Sequence, residues 1–271
     1  MPELPEVETT LRGIEPHIDG QTISGVVVRN AKLRWPVPEA ELALLVGQRI
    51  DKVERRAKYI LIHTQLGVLL LHLGMSGSLR ILPASTPPQK HDHLDIEVAS
   101  KVIVRLNDPR RFGCCLIAQE PINTHKLLAK LGPEPLAEEF SGRYLYAASR
   151  GRKVPVKNFI MDGHIVVGVG NIYASESLYE AKIRPTTQAC KISGPRYQKL
   201  ADEIKSVLAK AIKAGGTTLN DFTQADGKPG YFRHELQVYG RSGAPCNRCG
   251  GAIKSKVIGQ RNTFYCAACQ K

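Results

Sequence analysis

The chain has 271 residues, of which 42% are hydrophobic, and carries a formal net charge of +13 with a pI near 9.5. This length allows a sizeable hydrophobic core and favours two domains over one. No apolar run approaches the ~20 residues of a membrane-spanning helix, and no charged-then-apolar leader opens the sequence. We therefore expect a cytoplasmic protein with no membrane partner.

The positive charge is concentrated in the second half. Residues 1–150 carry 19 Lys/Arg against 17 Asp/Glu, whereas residues 151–271 carry 19 against 8. A near-neutral half joined to a strongly basic half indicates a surface dedicated to a polyanion. Because no membrane feature is present, the phosphate backbone of a nucleic acid is the favoured polyanion.

The N-terminus has the composition of a nucleophilic site. It starts Met1-Pro2-Glu3-Leu4-Pro5-Glu6, and proline in second place favours removal of Met1. The freed secondary amine of Pro2 would be partly neutral at cellular pH, since terminal amines have pKa values of about 7.7–8.0. Such an amine can attack an electrophilic carbon and form an iminium, with Glu3 as a nearby proton donor. A frayed terminus is the alternative, and a retained Met1 would remove the nucleophile.

Seven short strand-like runs follow a short helix predicted at Val7–Gly13, which ends near Gly13 and Pro16. Many of the joins contain Gly, Pro, Asn or Asp, and this spacing predicts a β-sandwich or a flattened barrel. The runs are Ile23–Val28, Tyr59–His63, Val68–His72, Leu79–Leu82, Leu94–Val98, Lys101–Leu106 and Cys114–Ala118.

Helical patterns dominate after the Pro-rich stretch Leu131–Pro135. We place Asn171 as an N-cap, with the helix stopped by Pro185, and a second helix from Ser193-Gly194-Pro195 to Gly215-Gly216. The predicted organisation is an N-terminal β-sandwich domain at 2–130, a linker region at 131–152, a helical domain at 153–240 and a cysteine-containing segment at 241–271.

Four cysteines near the end have the spacing of a metal site. Cys246-x-x-Cys249 and Cys266-x-x-Cys269 are separated by 16 residues, which strongly indicates a closed, tetrahedral, structural zinc site on a β-hairpin. No acidic residue occurs from residue 244 onward, and Arg261 would lie near the hairpin turn as a phosphate ligand. The remaining Cys114, Cys115 and Cys190 are interpreted as reduced structural thiols.

Several motifs in this order resemble the bacterial formamidopyrimidine-DNA glycosylase family of base-excision repair enzymes, over essentially the whole chain. The zinc ribbon is one of them, and the others are the segments Pro2–Thr9, Arg55–Tyr59, His72–Gly77, Asp108–Gly113 and Gly168–Glu176. The resemblance implies an α+β multidomain fold with an N-terminal β-sandwich and its helix, a helix–two-turn–helix domain and a Cys₄ zinc-finger hairpin. Damaged double-stranded DNA would lie in the cleft between the domains.

The resemblance also implies the chemistry. Pro2 would attack C1′ of an oxidised purine nucleotide flipped out of the helix, Glu3 would donate a proton, and β- and δ-elimination would follow. Lys58 would assist near the reacting sugar, and Arg261 would grip phosphates at the lesion. One structural Zn²⁺ and no organic cofactor are expected, in a monomeric, nucleoid-associated bacterial protein.

Further positions match DNA contacts of the family. Met75, Arg110 and Phe112 resemble the triad that fills the gap left by the flipped base, a task that requires an apolar wedge. The loop 217–231 would cover the flipped base. The DNA-contact positions are His91 (with His93 as the alternative), Arg110, Arg152 and Asn171, and Lys157 is predicted to contribute to the same surface.

Two other functions remain as alternatives. An enzyme resembling endonuclease VIII would prefer oxidised pyrimidines, and a non-enzymatic zinc-ribbon protein would bind DNA or RNA without chemistry. The segment Pro2–Glu6 and the separated Met75, Arg110 and Phe112 argue against the first. A non-enzymatic binding protein would need neither Pro2, Glu3 nor Lys58, and the chain has all three.

Overall fold

The computed structural model describes residues 2–217 and 232–271. The chain divides into two compact units, 1–129 with 214–233, and 130–213 with 234–271. The prediction that Met1 is removed, and the prediction that the loop at 217–231 covers a flipped base, fall on residues outside this description, apart from Thr217. Among the described residues, no helix combines the length and apolar character needed to cross a membrane.

The first unit is the predicted β-sandwich. Its elements are α1 (Leu4–Ile18), β1 (Ile23–Val28), α2 (Glu39–Ala43), β2 (Lys52–Arg56), β3 (Tyr59–Thr64), β4 (Gly67–His72), β5 (Ser78–Pro83), β6 (Asp92–Val98), β7 (Val102–Asn107) and β8 (Cys114–Ala118). Two four-stranded antiparallel sheets have the strand orders β1-β6-β7-β5 and β2-β3-β4-β8, and apolar side chains from both sheets share one buried cluster.

Helix α1 is longer than predicted. It continues through Pro16 to Ile18, because Ile14 and Ile18 belong to the same apolar stripe as Leu11 and are buried in the sandwich core. Strand β2 was missed, since Val53 is its only apolar residue and a strand of charged residues gives no clear alternation.

The second unit contains the remaining helices and the predicted zinc hairpin. Helix α6 (Gly194–Lys213) has Leu200, Ile204 and Leu208 at 0% exposure, as its periodicity predicts. The finger predicted at 241–271 lies in the same compact unit as these helices. The elements are α3 (Gly142–Ser149), α4 (Val156–Met161), α5 (Asn171–Glu180), α6 (Gly194–Lys213), β9 (Lys254–Ile258) and β10 (Arg261–Tyr265).

The segment predicted as a linker region, 131–152, contains α3. Ser141 caps this helix by accepting a hydrogen bond from the backbone N–H of Tyr144 at 3.2 Å. A Cβ at Gly142 would lie 2.2 Å from the α-carbon of Gln198, so glycine lets α3 pack directly against α6. The Pro-rich start of the segment concealed this short packed helix.

Candidate active site

The N-terminal turn is buried and tightly hydrogen-bonded. Glu3 and Glu6 are each 2% exposed, and Pro2 is buried. Oε2 of Glu6 accepts the backbone N–H of Glu3 at 2.9 Å, and Oε1 accepts the backbone N–H of Thr217 at 2.8 Å. The terminus of the described chain is therefore a fixed part of the structure rather than a frayed end.

Lys58 lies in the two-residue turn between β2 and β3, where Ala57 has a φ of 55°. This turn is linked to α1 through Arg55, which donates from Nε to Oε2 of Glu8 at 2.8 Å and from Nη1 to the carbonyl of Ala57 at 2.9 Å. Burial alone would raise the pKa of Glu8, but Arg55 and Arg12 lower it below its ordinary value. An ion pair thus connects the Lys58 turn with the helix that begins at the N-terminal turn.

The three predicted wedge residues lie together. Phe112 is 47% exposed, and the guanidinium of Arg110 stacks 4.9 Å from the centre of its ring. A Cβ on Gly74 would approach the backbone of Phe112 and Gly113 to 2.4 Å, so the loop carrying Met75 is in direct backbone contact with the loop carrying Phe112. A pocket of about 440 Å³ is lined by Arg34, His72, Gly74, Met75, Arg110 and Phe112.

His72 is a residue of this pocket that sequence reasoning did not single out. Its Nδ1 accepts the backbone N–H of Gly74 at 2.9 Å, which requires an unprotonated nitrogen. Burial, and then the positive charges of Lys58 and Arg34, lower the pKa of His72 to about 4, against an opposing contribution from Asp108. A neutral histidine therefore holds the turn that precedes Met75.

The structure distinguishes His91 from His93. The ring of His93 is buried, and its Nε2 lies 2.8 Å from the carbonyl oxygen of Asp108. His91 is half-buried with a φ of 72°, in the left-handed region that favours glycine. Of the two rings, His91 is the one that remains accessible.

In the second unit, the buried Lys157 and the half-buried Asn171 belong to one hydrogen-bonded cluster. Nζ of Lys157, a residue with 0% exposure, donates to Oδ1 of Asn171 and to Oγ1 of Thr263, each at 2.5 Å. The ammonium is enclosed between α5 and β10, and the contribution of Lys157 to the DNA-contact surface stays a prediction. Asn171 is the first residue of α5 and Gly170 is the N-cap, which corrects the predicted cap by one position.

Arg152 and Arg261 are both exposed. Arg152 follows α3 and donates from Nε to the carbonyl of Ala148 at 3.0 Å. Arg261 opens β10 directly after the turn Gly259-Gln260, whose φ values are 56° and 62°. Left-handed conformations at both positions produce a tight hairpin, which presents Arg261 at its tip.

The four cysteines satisfy the geometry of a zinc site. Their Sγ atoms all lie within 4.8 Å of one another, and the pairs Cys246–Cys269 and Cys249–Cys266 are 3.9 Å and 3.5 Å apart. Tetrahedral bonds to zinc of about 2.3 Å place sulfur atoms roughly 3.8 Å from one another. Cys246, Cys249, Cys266 and Cys269 thus form a closed structural zinc site that leaves no position for a substrate.

Glu176 is a further buried carboxylate, one that the sequence analysis did not single out. Glu176 on α5 accepts backbone N–H bonds from Gln237, Val238 and Tyr239 at 2.8–3.0 Å. Burial raises its pKa against the lowering effect of these three donors. The hydroxyl of Tyr239 in turn lies 3.4 Å from Nδ2 of Asn171. The only sequence signal was an acidic residue within the Gly168–Glu176 motif.

Comparison with known proteins matches three family models to successive parts of the chain. Family models match residues 1–115 (formamidopyrimidine-DNA glycosylase N-terminal domain), 131–223 (formamidopyrimidine-DNA glycosylase H2TH domain) and 243–271 (zinc finger found in FPG and IleRS). The formamidopyrimidine-DNA glycosylase of Xanthomonas campestris pv. campestris strain B100 is 58% identical over 272 residues, covering 100% of both chains.

Two solved structures are similar over almost the full length. The MutM (FPG) protein of Thermus thermophilus has 36% identity and a TM-score of 0.88, covering 99% of this chain and 98% of its own. The Lactococcus lactis Fpg, solved in complex with DNA that contains an abasic site, has 33% identity and a TM-score of 0.91, covering 99% of both chains. The chain therefore belongs to the formamidopyrimidine-DNA glycosylase family.

Proposed function

We propose that this protein is a bifunctional DNA glycosylase and abasic-site lyase that removes oxidised purines from duplex DNA in base excision repair. Its substrates would include 8-oxoguanine and formamidopyrimidines. The observation that carries the proposal is the buried, hydrogen-bonded turn Pro2–Glu6 in a member of this family. A nucleophile is effective only when its position is fixed relative to the reacting carbon, and this turn is fixed on α1.

The first chemical step requires removal of Met1, which frees the Pro2 amine. Its nitrogen attacks C1′ of a nucleotide that has left the base stack, and the bond between C1′ and the damaged base breaks. The base leaves with the bonding electrons and takes up one proton, while the Pro2 nitrogen gives up its own. Glu3 protonates the ring oxygen as the sugar opens, which gives an iminium between Pro2 and C1′. A general acid of this kind must lie beside the nucleophile, and Glu3 is the next residue.

The iminium makes the C2′ proton acidic. Loss of that proton expels the 3′ phosphate in β-elimination, and a second elimination expels the 5′ phosphate, so both flanking bonds break. We assign Lys58 to the region of the reacting sugar and Arg261 to the phosphates at the lesion. Both bring positive charge to steps in which negatively charged phosphates depart.

The remaining predicted residues would bind the duplex. His91 and Arg110 on the first unit, and Arg152 and Asn171 on the second, are assigned to phosphate contacts. Lys157 is assigned to the same surface, where its ammonium holds the side chain of Asn171. Met75, Arg110 and Phe112 would fill the gap left by the extruded base. We further propose that the protein acts as a monomer, in the cytoplasm of a bacterium and associated with the nucleoid.

Borohydride trapping on a duplex with one 8-oxoguanine opposite cytosine tests the chemistry. Wild-type protein should form a covalent adduct that maps to residue 2 and should leave phosphates on both sides of the gap. Pro2→Gly and Glu3→Gln should lose most of this activity. Pro5→Ala is the matched control, since it changes the second proline of the same turn and leaves the terminal amine intact.

Two results would contradict the proposal. Tight binding of the duplex with neither trapping nor cleavage would indicate a non-enzymatic binding protein, provided mass spectrometry shows that Met1 has been removed. Faster excision of 5-hydroxycytosine than of 8-oxoguanine would instead indicate an enzyme resembling endonuclease VIII.

A further inference from the structure

The two loops that carry the wedge residues meet at one buried carboxylate. Asp108 has 0% exposure, and its Oδ1 accepts the hydroxyl of Ser76 at 2.8 Å and the backbone N–H of Arg110 at 3.3 Å. Its Oδ2 accepts the backbone N–H of Gly113 at 2.7 Å. Ser76 follows Met75 and Gly113 follows Phe112, so these bonds fix the backbone beside each of the three wedge side chains.

The main chain of Asp108 reaches a third segment. Its N–H donates to the carbonyl of His91 at 3.0 Å, and its own carbonyl oxygen accepts the N–H of Arg111 at 3.2 Å and lies 2.8 Å from Nε2 of His93. The half-buried His91, assigned above to a DNA contact, is therefore held by the same residue as the wedge loops.

The loops that carry Met75 and Phe112 are tightly packed where they touch. A Cβ on Gly113 would lie 2.7 Å from the carbonyl oxygen of His72 and 3.1 Å from Oδ2 of Asp108. Gly74 at φ 62° and Arg111 at φ 56° both have left-handed backbones. Such conformations, costly for Arg111, persist only when surrounding bonds impose them. The Asp108 carboxylate supplies several of those bonds.

We propose that Asp108 is a positioning residue for the lesion gap, one that holds Met75, Arg110 and Phe112 in the arrangement needed to replace an extruded base. This inference rests on the proposed function. Asp108 itself is buried and touches no substrate. It acts by holding the two loops, and this effect is needed only in reactions that extrude a base from a paired duplex.

A carboxylate is suited to this task because both of its oxygens accept hydrogen bonds. An asparagine has nearly the same shape, but its amide nitrogen would face either Gly113 N–H or the Ser76 and Arg110 donors. The Ser76 hydroxyl can turn to accept a hydrogen bond, but the backbone N–H of either Gly113 or Arg110 would meet a donor in place of an acceptor, which is costlier than the absence of a bond.

The experiment compares two reactions of the same protein. The first is excision of 8-oxoguanine from a duplex, which needs extrusion and gap filling. The second is cleavage at an abasic site in single-stranded DNA, which needs the iminium and elimination chemistry but no extrusion of a base from a duplex. Asp108→Asn should lower the ratio of the first rate constant to the second by about tenfold or more, as expected for losing a hydrogen bond to a charged group. Ser76→Ala, which removes one neutral donor, should lower it less.

Thr64→Val is the matched control. Thr64 is also buried, and its hydroxyl bonds the carbonyl of Gly67 at the far end of the β3–β4 hairpin from His72. This variant should leave the ratio unchanged while perturbing the same sandwich. An adenine analogue, 2-aminopurine, placed beside the lesion should report less unstacking with Asp108→Asn than with Thr64→Val.

The outcomes separate the two proposals. If wild-type protein performs neither reaction, the proposed function fails. If wild-type performs both, and Asp108→Asn lowers both rates equally or behaves like Thr64→Val, the positioning role is overturned. Should Asp108→Asn fail to fold, the Ser76→Ala ratio decides: a lowered ratio supports the role, and an unchanged ratio rejects it.

Discussion

Glu6 and Thr217 are 211 positions apart in the chain, yet the Thr217 N–H donates to Oε1 of Glu6 at 2.8 Å. The other oxygen of this carboxylate accepts the N–H of Glu3 at 2.9 Å. Next to Thr217, a Cβ on Gly216 would come within 3.2 Å of Oε1, and Gly216 has a φ of 80°. One buried side chain thus joins the turn beginning at Pro2 to the backbone at residues 216–217.

Replacement of Glu6 by Gln should slow iminium formation. The amide can accept only one of the two N–H bonds, so either Glu3 or Thr217 loses its partner. A net loss of about 1–3 kcal/mol in the alignment of the turn corresponds to roughly a 5- to 150-fold lower rate of borohydride trapping. Borohydride trapping under single-turnover conditions measures this rate. Glu15→Gln on the same helix is the control for removal of a charge, and an equal effect of both variants would contradict the role of Glu6.

His72 should make the stability of the first unit pH-dependent. Its pKa of about 4 in the folded protein lies below the ordinary value of about 6.5. As the pH falls from about 6.5 towards 4, the unfolded chain therefore takes up a proton that the folded chain does not, and the free energy of unfolding decreases. His72→Asn, whose Oδ1 can still accept the Gly74 N–H, should remove this contribution.

Urea unfolding at pH 7.5 and pH 5 measures the effect. Wild-type protein should lose more stability between these values than His72→Asn. His17→Asn, at the exposed end of α1, should behave as wild type. A loss of equal size in wild type and His72→Asn would show that other groups carry the dependence.

Glu176→Gln should destabilise the second unit. The carboxylate accepts three backbone N–H groups from residues 237–239, and glutamine would turn a donor towards at least one of them. A buried donor without a partner costs about 1–3 kcal/mol. Thermal unfolding followed by circular dichroism should show the lower midpoint, with Glu203→Gln on α6 as the control.

Zinc removal should affect more than the hairpin. Structural zinc supplies folding free energy, so chelation with 1,10-phenanthroline should unfold residues near the four cysteines and weaken DNA binding. Cys266→Ser should reproduce this loss, whereas Cys190→Ser, a cysteine outside the cluster, should not. Full DNA affinity after verified metal removal would show that the hairpin makes no contribution to binding.

Much of the architecture could be predicted because its signals are local. The buried stripe of α6 follows the helical period, and the spacing of the four cysteines determines the zinc site. The strands of the sandwich were predicted wherever apolar residues dominated. The charged strand Lys52–Arg56 and the short helix Gly142–Ser149 were missed, since tertiary packing rather than local pattern decides them.

The candidate site was predictable to the extent that a family motif marked it. The motifs named Met75, Arg110 and Phe112, but gave no indication that Asp108 joins their loops or that His72 supports Gly74. These contacts connect residues distant in sequence, and no periodicity encodes them. The partners of Lys157 could not be predicted for the same reason, since Asn171 and Thr263 are brought to its ammonium only by the fold.

The enclosed ammonium of Lys157 has a consequence for how the second unit unfolds. A buried cation is tolerated only while its hydrogen-bond acceptors remain in place, and here Asn171 begins α5 while Thr263 lies in β10. Detaching the hairpin alone would remove the Thr263 acceptor and leave the Lys157 ammonium in the interior of the helices. The helices and the finger should therefore melt in a single cooperative transition, with hydrogen exchange at α5 and at β10 governed by the same opening event.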